Sequence, residues 1–228
     1  MNDERITSPA AVLLDLDGTL VDTVGTRIEA WMRTFGEHDI PADRRFVAEL
    51  IGADGKRLAH EVAARDGRTL DEDAAEGIDA RSGQIYSELN TDPRPLPGVT
   101  DFLDAVESAG LPWAVATSSR REQVGRSVAA LRRATEPRIV DGSSVRRAKP
   151  APDLLLAAAA TIHVDPAACW CVGDSTWDMR AAVAAGMTPL AVLAGSAVSA
   201  DALAAAGAQL TVERIDHLIP MLERPMNR

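Results

Sequence analysis

Several broad classes of protein are excluded by what this sequence of 228 residues lacks. Its 24 basic residues are outnumbered by 34 acidic ones, and the net charge of −10 argues against nucleic-acid binding through a basic surface. No apolar run approaches the roughly 20 residues that a membrane-spanning helix needs, and the first residues lack the apolar core of a signal peptide. We therefore expect a cytoplasmic protein without a nucleic-acid or membrane partner, whose oligomeric state the sequence leaves open.

Cysteine is almost absent as well. The two that occur, Cys169 and Cys171, stand two residues apart in the apolar segment "ACWCVGD". This spacing suits two side chains on one face of a buried strand, whereas a structural zinc site needs four ligands. The four histidines share no ligand spacing either. The sequence therefore predicts packing for both cysteines and gives no sign of a zinc centre.

Lysine is equally scarce, because 22 of the 24 basic residues are arginines. The two lysines are Lys56, in "IGADGKRL", and Lys149, in "RRAKPAPD", a loop that precedes a predicted helix. A chain that uses arginine almost everywhere invites a specific explanation for each lysine.

Short apolar segments alternate with helix-like segments along most of the chain. Continuous apolar strands with helical crossovers predict a doubly wound α/β domain, in which a parallel sheet is covered on both faces. Ligands of such domains bind beyond the carboxyl ends of the strands. The predicted strands are residues 11–16, 113–117, 138–142, 169–173, 189–193 and 208–212.

The gap between the first two strands differs from the other gaps. Residues 21–96 contain helical patterns and no convincing strand, and they close with the proline-rich "TDPRPLPGV". Such a proline-rich stretch is typical of a hinge or linker. We therefore predict an inserted all-helical cap domain at residues 21–96, and an α/β core formed by residues 1–20 and 97–228.

Polar side chains cluster where the predicted strands end. Because the carboxyl ends of parallel strands meet at one edge of the sheet, we expect these side chains to converge. They are Asp15 and Asp17 after the first strand, Thr117 and Ser118 after the second, Lys149 before a helix, and Asp174 and Asp178 after the fourth.

The first two of these carboxylates raise an electrostatic question. Asp15 and Asp17 stand two residues apart at the end of a predicted strand, so they are expected to face the same side and to repel each other. A divalent cation would offset that repulsion, and Mg²⁺ prefers oxygen ligands. Thr117 and Lys149 could then hold a phosphate beside the metal.

Four segments, taken together, resemble the four motifs of the haloacid dehalogenase superfamily. They are "DLDGTLVD", "ATSS", "KPAPD" and "GDSTWD", in that order. The resemblance covers nearly the whole chain, including the cap. Within the superfamily, the chain is similar to the branch that contains phosphoglycolate phosphatase and β-phosphoglucomutase. It implies a Rossmann-like core and a Mg²⁺-dependent phosphatase that acts on a small phosphorylated metabolite through an aspartyl-phosphate.

The resemblance also implies a role for each motif residue. Asp15 would be the nucleophile, Asp17 the general acid and base, and Lys149 the cation that neutralises nucleophile and phosphate. Thr117 and the Ser118 amide would hold the phosphoryl oxygens, beside Gly18 in the turn that leads into the cap. The metal site would comprise Asp15, the main-chain carbonyl of Asp17, Asp174 and Asp178, the last orienting either metal-bound water or Lys149.

Four further side chains have weaker assignments. Lys56 and Arg57 resemble a cap loop that closes over substrate, although a basic pair on a helix is also typical of a solvated face. Ser119 is expected to cap the helix after the second strand, and Trp177 is expected to pack at a helix start.

Other functions on the same scaffold stay open. A sugar phosphomutase would use the same core, but Ile51 before Gly52 departs from its cap-loop pattern. A phosphonoacetaldehyde hydrolase would need a cap lysine, for which Lys56 is the candidate, and has no acidic residue matching Asp17. Asp17 likewise argues against a haloacid dehalogenase. A non-catalytic binding protein would not need every catalytic position to be filled.

Overall fold

The α/β core is built on a six-stranded, all-parallel sheet in the computed structural model, which describes residues 6–222. The order of the strands is β3-β2-β1-β4-β5-β6, so β1 lies in the middle between β2 and β4. The strands are β1 (Ala11–Leu14), β2 (Trp113–Ala116), β3 (Arg138–Val140), β4 (Cys169–Gly173), β5 (Thr188–Val192) and β6 (Leu210–Val212). The predicted doubly wound α/β fold is confirmed.

Side chains along β1 point alternately to the two faces of the sheet, so the hydrophobic core has two layers. Val12 and Leu14 point into one hydrophobic cluster, and Ala11 and Leu13 point into another on the opposite face. The first cluster is covered by α5 (Val99–Ser108), α6 (Arg121–Ala130) and α10 (Ile219–Leu222), and the second by α7 (Asp153–Thr161) and α8 (Thr176–Ala185). A short helix, α9 (Ala200–Ala205), precedes β6.

Between β1 and α5 the chain forms four helices, which we call the cap. They are α1 (Val24–Glu37), α2 (Arg44–Leu50), α3 (Gly55–Arg65) and α4 (Glu72–Leu89). Asp43, Asp54 and Asp71 cap the first turns of α2, α3 and α4 by accepting backbone N–H bonds. A hydrophobic cluster of the cap's own holds the four helices together.

Two linkers join the cap to the core, and they run side by side. The amide of Asp22 donates to the carbonyl of Arg94 at 2.9 Å, and the amide of Leu96 donates to the carbonyl of Leu20 at 3.0 Å. The predicted helical content of residues 21–96 is therefore observed, whereas their status as a separate domain stays a prediction. The core predicted over 1–20 and 97–228 includes residues 1–5 and 223–228, which lie outside the described residues.

Two smaller expectations are also settled. Cys169 and Cys171 are free and buried within the sheet, as predicted. Over residues 6–222, no helix is both long and apolar enough to span a membrane.

Candidate active site

The strand order brings three of the predicted residues together. Asp15 follows β1, Thr117 follows β2 and Asp174 follows β4, and these three strands are neighbours in the sheet. All three side chains are buried. The carboxyl ends of parallel strands thus form a polar floor at the centre of the sheet, as the sequence predicts.

Lys149 completes this floor from the loop before α7. Its Nζ lies 2.5 Å from Asp15 Oδ1 and 2.6 Å from Asp178 Oδ1, and its side chain is 1% exposed. Burial alone would lower the pKa of Lys149, but the two carboxylates raise it above the usual value, so the side chain is a cation. Lys149 therefore bridges two carboxylates that would otherwise repel each other.

Asp178 is held in place by the start of its own helix. Its Oδ2 accepts from the Ser175 amide at 3.1 Å and from the Ser175 hydroxyl at 2.5 Å, while the Asp178 amide donates back to that hydroxyl. This capping box satisfies the free N–H groups at the first turn of α8. One oxygen of Asp178 thus fixes the helix and the other faces Lys149.

Carboxyl groups outnumber cations in this floor. Asp15, Asp174 and Asp178 each offer an oxygen, and these oxygens lie within 4.8 Å of one another. Burial raises the pKa of Asp15 to about 7, with Lys149 opposing the shift. Burial, followed by the charges of Asp15 and Asp178, raises the pKa of Asp174 well above its usual value. A cluster of buried carboxylate oxygens is the donor set that Mg²⁺ prefers, so these residues fit the predicted metal.

The turn after β1 packs tightly against Asp174. Thr19 Oγ1 donates to Asp174 Oδ1 at 2.9 Å. Gly18 has φ of +85°, and a Cβ at this position would overlap the Asp174 carboxylate. Only glycine combines this left-handed backbone with so close an approach. Gly18 therefore lies at the predicted turn, where it contacts a candidate metal ligand.

The side chain of Asp17 does not share the floor with Asp15. The strand prediction was too long here, because β1 ends at Leu14 and the chain then turns. Asp17 consequently has partners of its own: its carboxylate accepts from Thr23 Oγ1 at 2.5 Å, Ser119 Oγ at 2.8 Å, Arg27 Nη2 at 3.0 Å and the Tyr86 hydroxyl at 3.1 Å. Asp15 and Asp17 both line one cavity, which agrees with the expectation that they face the same side, but each has its own partners.

These partners decide the charge of Asp17. Burial by itself would raise the pKa of Asp17, but the Arg27 guanidinium and the hydrogen bonds from Thr23 and Ser119 hold it below the usual value. Asp17 is therefore a carboxylate. The prediction that Ser119 caps the next helix is wrong: the N-cap of α6 is Arg120, and Ser119 donates to Asp17 instead.

A cavity of about 270 Å³ lies above the floor, between the core and the cap. From the core it is lined by Asp15, Asp17, Thr117, Ser118, Ser119, Arg120, Gln123 and Arg146, among others, and from the cap by Arg27, Trp31, Lys56, Glu76 and Asp79, among others. Lys56 thus lines the cavity and also pairs with Glu72 at 3.5 Å, while its contact with substrate stays a prediction. Arg57 pairs with Glu61 at 3.1 Å, and the cavity lining does not include it.

The cap contacts the core at several points around this cavity. Ser118 Oγ donates to the carbonyl of Gly52 at 2.9 Å. Trp177 of α8 packs into the cap's hydrophobic cluster and donates through Nε1 to the carbonyl of Glu49 at 3.1 Å, which confirms its predicted packing role. Arg120 at the start of α6 pairs with Asp79 of α4 at 2.7 Å. The cap is therefore closed over the floor in this structure.

Four residues at or near Asp17 were missed by the sequence analysis: Thr23, Arg27, Tyr86 and Gln123. Arg27 had a detectable signal, because it is a charged residue on the apolar face of α1, beside Val24 and Ile28. Tyr86 is the one tyrosine of the chain, which is a weaker signal. Gln123 carried no pattern that separates it from other polar helix residues.

Comparison with known proteins agrees with this arrangement. A model of the haloacid dehalogenase-like hydrolase family matches residues 12–192. An N-acetylmuramic acid 6-phosphate phosphatase of Pseudomonas aeruginosa is 31% identical over 219 residues, covering 95% of this chain and 96% of that protein. A β-phosphoglucomutase of Bacillus subtilis is 29% identical over 210 residues, covering 89% of this chain and 92% of that protein.

A solved structure supports the same relationship over nearly the full chain. It is a hydrolase from Pseudomonas syringae with a TM-score of 0.88 and 30% identity, covering 93% of this chain and 97% of that chain. The four motifs, the polar floor at the ends of β1, β2 and β4, and the family match over most of the sequence all agree. The chain belongs to the haloacid dehalogenase-like hydrolase family.

Proposed function

We propose that this protein is a Mg²⁺-dependent phosphatase that hydrolyses a small phosphorylated metabolite through an aspartyl-phosphate on Asp15. The observation that carries the proposal is the pairing of Asp15 with Lys149 at 2.5 Å, beside a cavity that both Asp15 and Thr117 line. A buried carboxylate paired with a lysine can attack phosphorus, while the cation offsets the charge of the incoming phosphate.

In the first half of the reaction, an Asp15 oxygen attacks the phosphorus of the bound ester. The bond between phosphorus and the ester oxygen breaks, and Asp17, when protonated, gives its proton to the departing oxygen. Thr117 and the Ser118 amide hold the phosphoryl oxygens, and Lys149 neutralises part of their charge. The products of this half are the free alcohol and a phosphorylated Asp15.

In the second half, a water molecule attacks the phosphorus of the aspartyl-phosphate. Asp17, now a carboxylate, takes a proton from that water, and the bond between phosphorus and the Asp15 oxygen breaks. Inorganic phosphate leaves, and both aspartates return to their starting state. The low pKa of Asp17 favours this step, because a base must be unprotonated before it can accept a proton.

The metal would be held by Asp15, Asp174 and the main-chain carbonyl of Asp17, with Asp178 orienting Lys149 or metal-bound water. When bound, Mg²⁺ would supply positive charge that neutralises the carboxylate cluster and the transferring phosphoryl group. The three carboxylates and one lysine of the floor support this assignment, because a dianionic phosphate would otherwise enter a site of net negative charge.

The cavity sets the scale of the substrate. About 270 Å³ beneath a closed cap accommodates a small metabolite and not a polymer. The P. aeruginosa relative is named for N-acetylmuramic acid 6-phosphate, so we take that compound as the first candidate for this chain.

The test is a panel of phosphorylated metabolites, including N-acetylmuramic acid 6-phosphate, phosphoglycolate and sugar phosphates, incubated with the protein and Mg²⁺. Phosphate release is expected for at least one member. Absence of phosphate release across the panel would contradict the proposal.

A sugar phosphomutase is the second candidate, favoured by the similarity to β-phosphoglucomutase. The same panel separates the two functions. A phosphatase releases phosphate in step with substrate loss, whereas a mutase interconverts sugar phosphate isomers while free phosphate stays low.

A further inference from the structure

We propose that Arg27, on cap helix α1, is a positioning residue that holds Asp17 for hydrolysis of the aspartyl-phosphate. The inference rests on the proposed function, because it assigns the second half of that reaction to an arrangement the cap provides. In this role Arg27 acts through Asp17, to which it is directly paired.

Arg27 links the cap to three core side chains at one point. Its Nη2 lies 3.0 Å from Asp17 Oδ2 and donates to Ser119 Oγ at 2.6 Å, and its Nη1 donates to Gln123 Oε1 at 2.9 Å. Its guanidinium carbon also lies 3.3 Å from the centroid of the Tyr86 ring. A planar cation with several donors suits such a bridge better than a lysine would.

The buried position of Arg27 opposes folding. The Arg27 side chain is about nine-tenths buried, and within residues 6–222 its Nε has no hydrogen-bond partner. Burying a charge and an unpaired donor in a helix interface opposes folding, and an apolar residue of similar size often packs there at lower cost. A charged residue at this position is therefore better explained by what it does to Asp17 than by what it adds to stability.

The contacts fix the orientation of the Asp17 carboxylate. Thr23 and Tyr86 donate to Oδ1, while Arg27 and Ser119 donate to Oδ2, so each oxygen has two donors. A carboxylate has about four acceptor positions, so all of them are filled. An incoming water must therefore displace one donor before it can give its proton to Asp17.

Ser119 is the donor that a water can replace most easily. Ser119 lines the cavity, and its hydroxyl can rotate away. Arg27 also lines the cavity, but its contacts with Gln123 and the Tyr86 ring hold it in place. Arg27 thus keeps Oδ2 directed at the cavity while the hydroxyl gives way, which is the kind of orientation that lowers the barrier to proton transfer.

The experiment measures the two half-reactions separately, by rapid-quench kinetics with p-nitrophenyl phosphate and Mg²⁺. The nitrophenolate leaving group needs no proton, so the burst of nitrophenolate reports attack by Asp15, and the later steady rate reports aspartyl-phosphate hydrolysis. For Arg27→Met we expect a burst rate within about threefold of wild type and a steady rate at least about tenfold lower. In acid-quenched samples of this variant, the phosphorylated form should approach one phosphoryl group per active site.

Two further variants keep the test decisive if Arg27→Met folds poorly. Arg27→Lys retains a cation and should recover part of the steady rate, and Tyr86→Phe retains the ring beneath Arg27 while removing one donor to Asp17. Arg33→Met is the matched control, because Arg33 is an exposed arginine of the same helix that pairs with Glu29 at 2.9 Å. It should leave both phases unchanged.

A purely structural role for Arg27 would lower the burst and the steady rate together, and that result would overturn the proposal. Unchanged kinetics in Arg27→Met would overturn it as well. Failure of the proposed function has a different signature: the wild-type protein would then release no phosphate from any ester, whatever residue 27 is.

Discussion

Asp15 and Asp17 are close in sequence, yet each has a cation of its own. Lys149, which comes from the core, lies 2.5 Å from Asp15, and Arg27, which comes from the cap, lies 3.0 Å from Asp17. The partner of Asp15 thus belongs to the core, whereas the partner of Asp17 belongs to cap helix α1. Under the proposed mechanism, the core alone supplies the cation beside the nucleophile, and the cap supplies the cation beside the acid–base residue.

At this same scale, the two basic residues of the cap can be separated. Lys56 lines the cavity, whereas Arg57 pairs with Glu61 outside it. Lys56→Ala should therefore raise KM for the best metabolite several-fold, and should have little effect on p-nitrophenyl phosphate, which lacks the metabolite's far end. The measurement is steady-state kinetics of both substrates.

Arg57→Ala is the matched control for this variant, since it removes a cation from the neighbouring position. It should leave both substrates near wild-type values. If Arg57→Ala raises KM more than Lys56→Ala does, the assignment of Lys56 to the substrate pocket is wrong.

The residues of the floor were predictable from the sequence, whereas the partners of Asp17 were not. Asp174 and Lys149 were predictable because the ends of parallel strands, and the loops beside them, must meet at one edge of the sheet. Tyr86 lies 69 residues from Asp17 along the chain, on a helix whose partner surface cannot be read from its own periodicity. The packing of cap on core decides such contacts, and local patterns do not encode it.

Among the elements, the turn between β1 and the cap is constrained both by its backbone and by a close neighbour. Gly18 has a left-handed backbone and lies against Asp174, which in turn accepts a hydrogen bond from Thr19. The turn therefore sets both the exit direction of the chain into the cap and the position of a candidate metal ligand.

Gly18→Ala tests this constraint. Backbone strain of this kind costs about 1–3 kcal/mol, so the free energy of unfolding should fall by at least that amount, and the displaced Asp174 should weaken Mg²⁺ binding. Denaturant unfolding measures the first effect, and the Mg²⁺ concentration for half-maximal activity measures the second.

Gly25→Ala provides the control, because Gly25 lies in α1 and nothing is within 4 Å of a Cβ built there. That change should be neutral or stabilise the protein by up to about 1 kcal/mol, since alanine favours helix. Equal behaviour of the two variants would contradict the constraint on Gly18.

The elements themselves were largely predictable. All six strands lie where apolar segments predicted them, and the elements between the first two strands are all helices. The ends were less accurate: β1 stops two residues before its predicted end, because the chain bends at Leu16 and turns at residues 18–20. The two aspartates still line one cavity, and what the strand pattern did not indicate is that each has a different cationic partner.

For the whole molecule, charge balance predicts a strict metal requirement. The floor holds three carboxyl groups and one lysine, so with those groups ionised a phosphate dianion would meet net negative charge unless a divalent cation were bound. Phosphate release should therefore fall to background in excess chelator and return when Mg²⁺ is added. Ca²⁺, which is larger and prefers more ligands, should inhibit in competition with Mg²⁺.

Phosphate release is the readout, and circular dichroism in chelator is the control that the fold survives without metal. Full activity in excess chelator would contradict the assignment of the carboxylate cluster.

The most direct test of the account is to locate the phosphoryl group on the protein. Wild-type protein and Asp15→Asn are mixed with Mg²⁺ and the best substrate, quenched in acid within milliseconds, digested and analysed by mass spectrometry. The account predicts a phosphorylated peptide carrying the modification on Asp15 in the wild type, and no phosphorylated peptide and background turnover in Asp15→Asn. Turnover that persists in Asp15→Asn, or a phosphoryl group on another residue, would contradict the account.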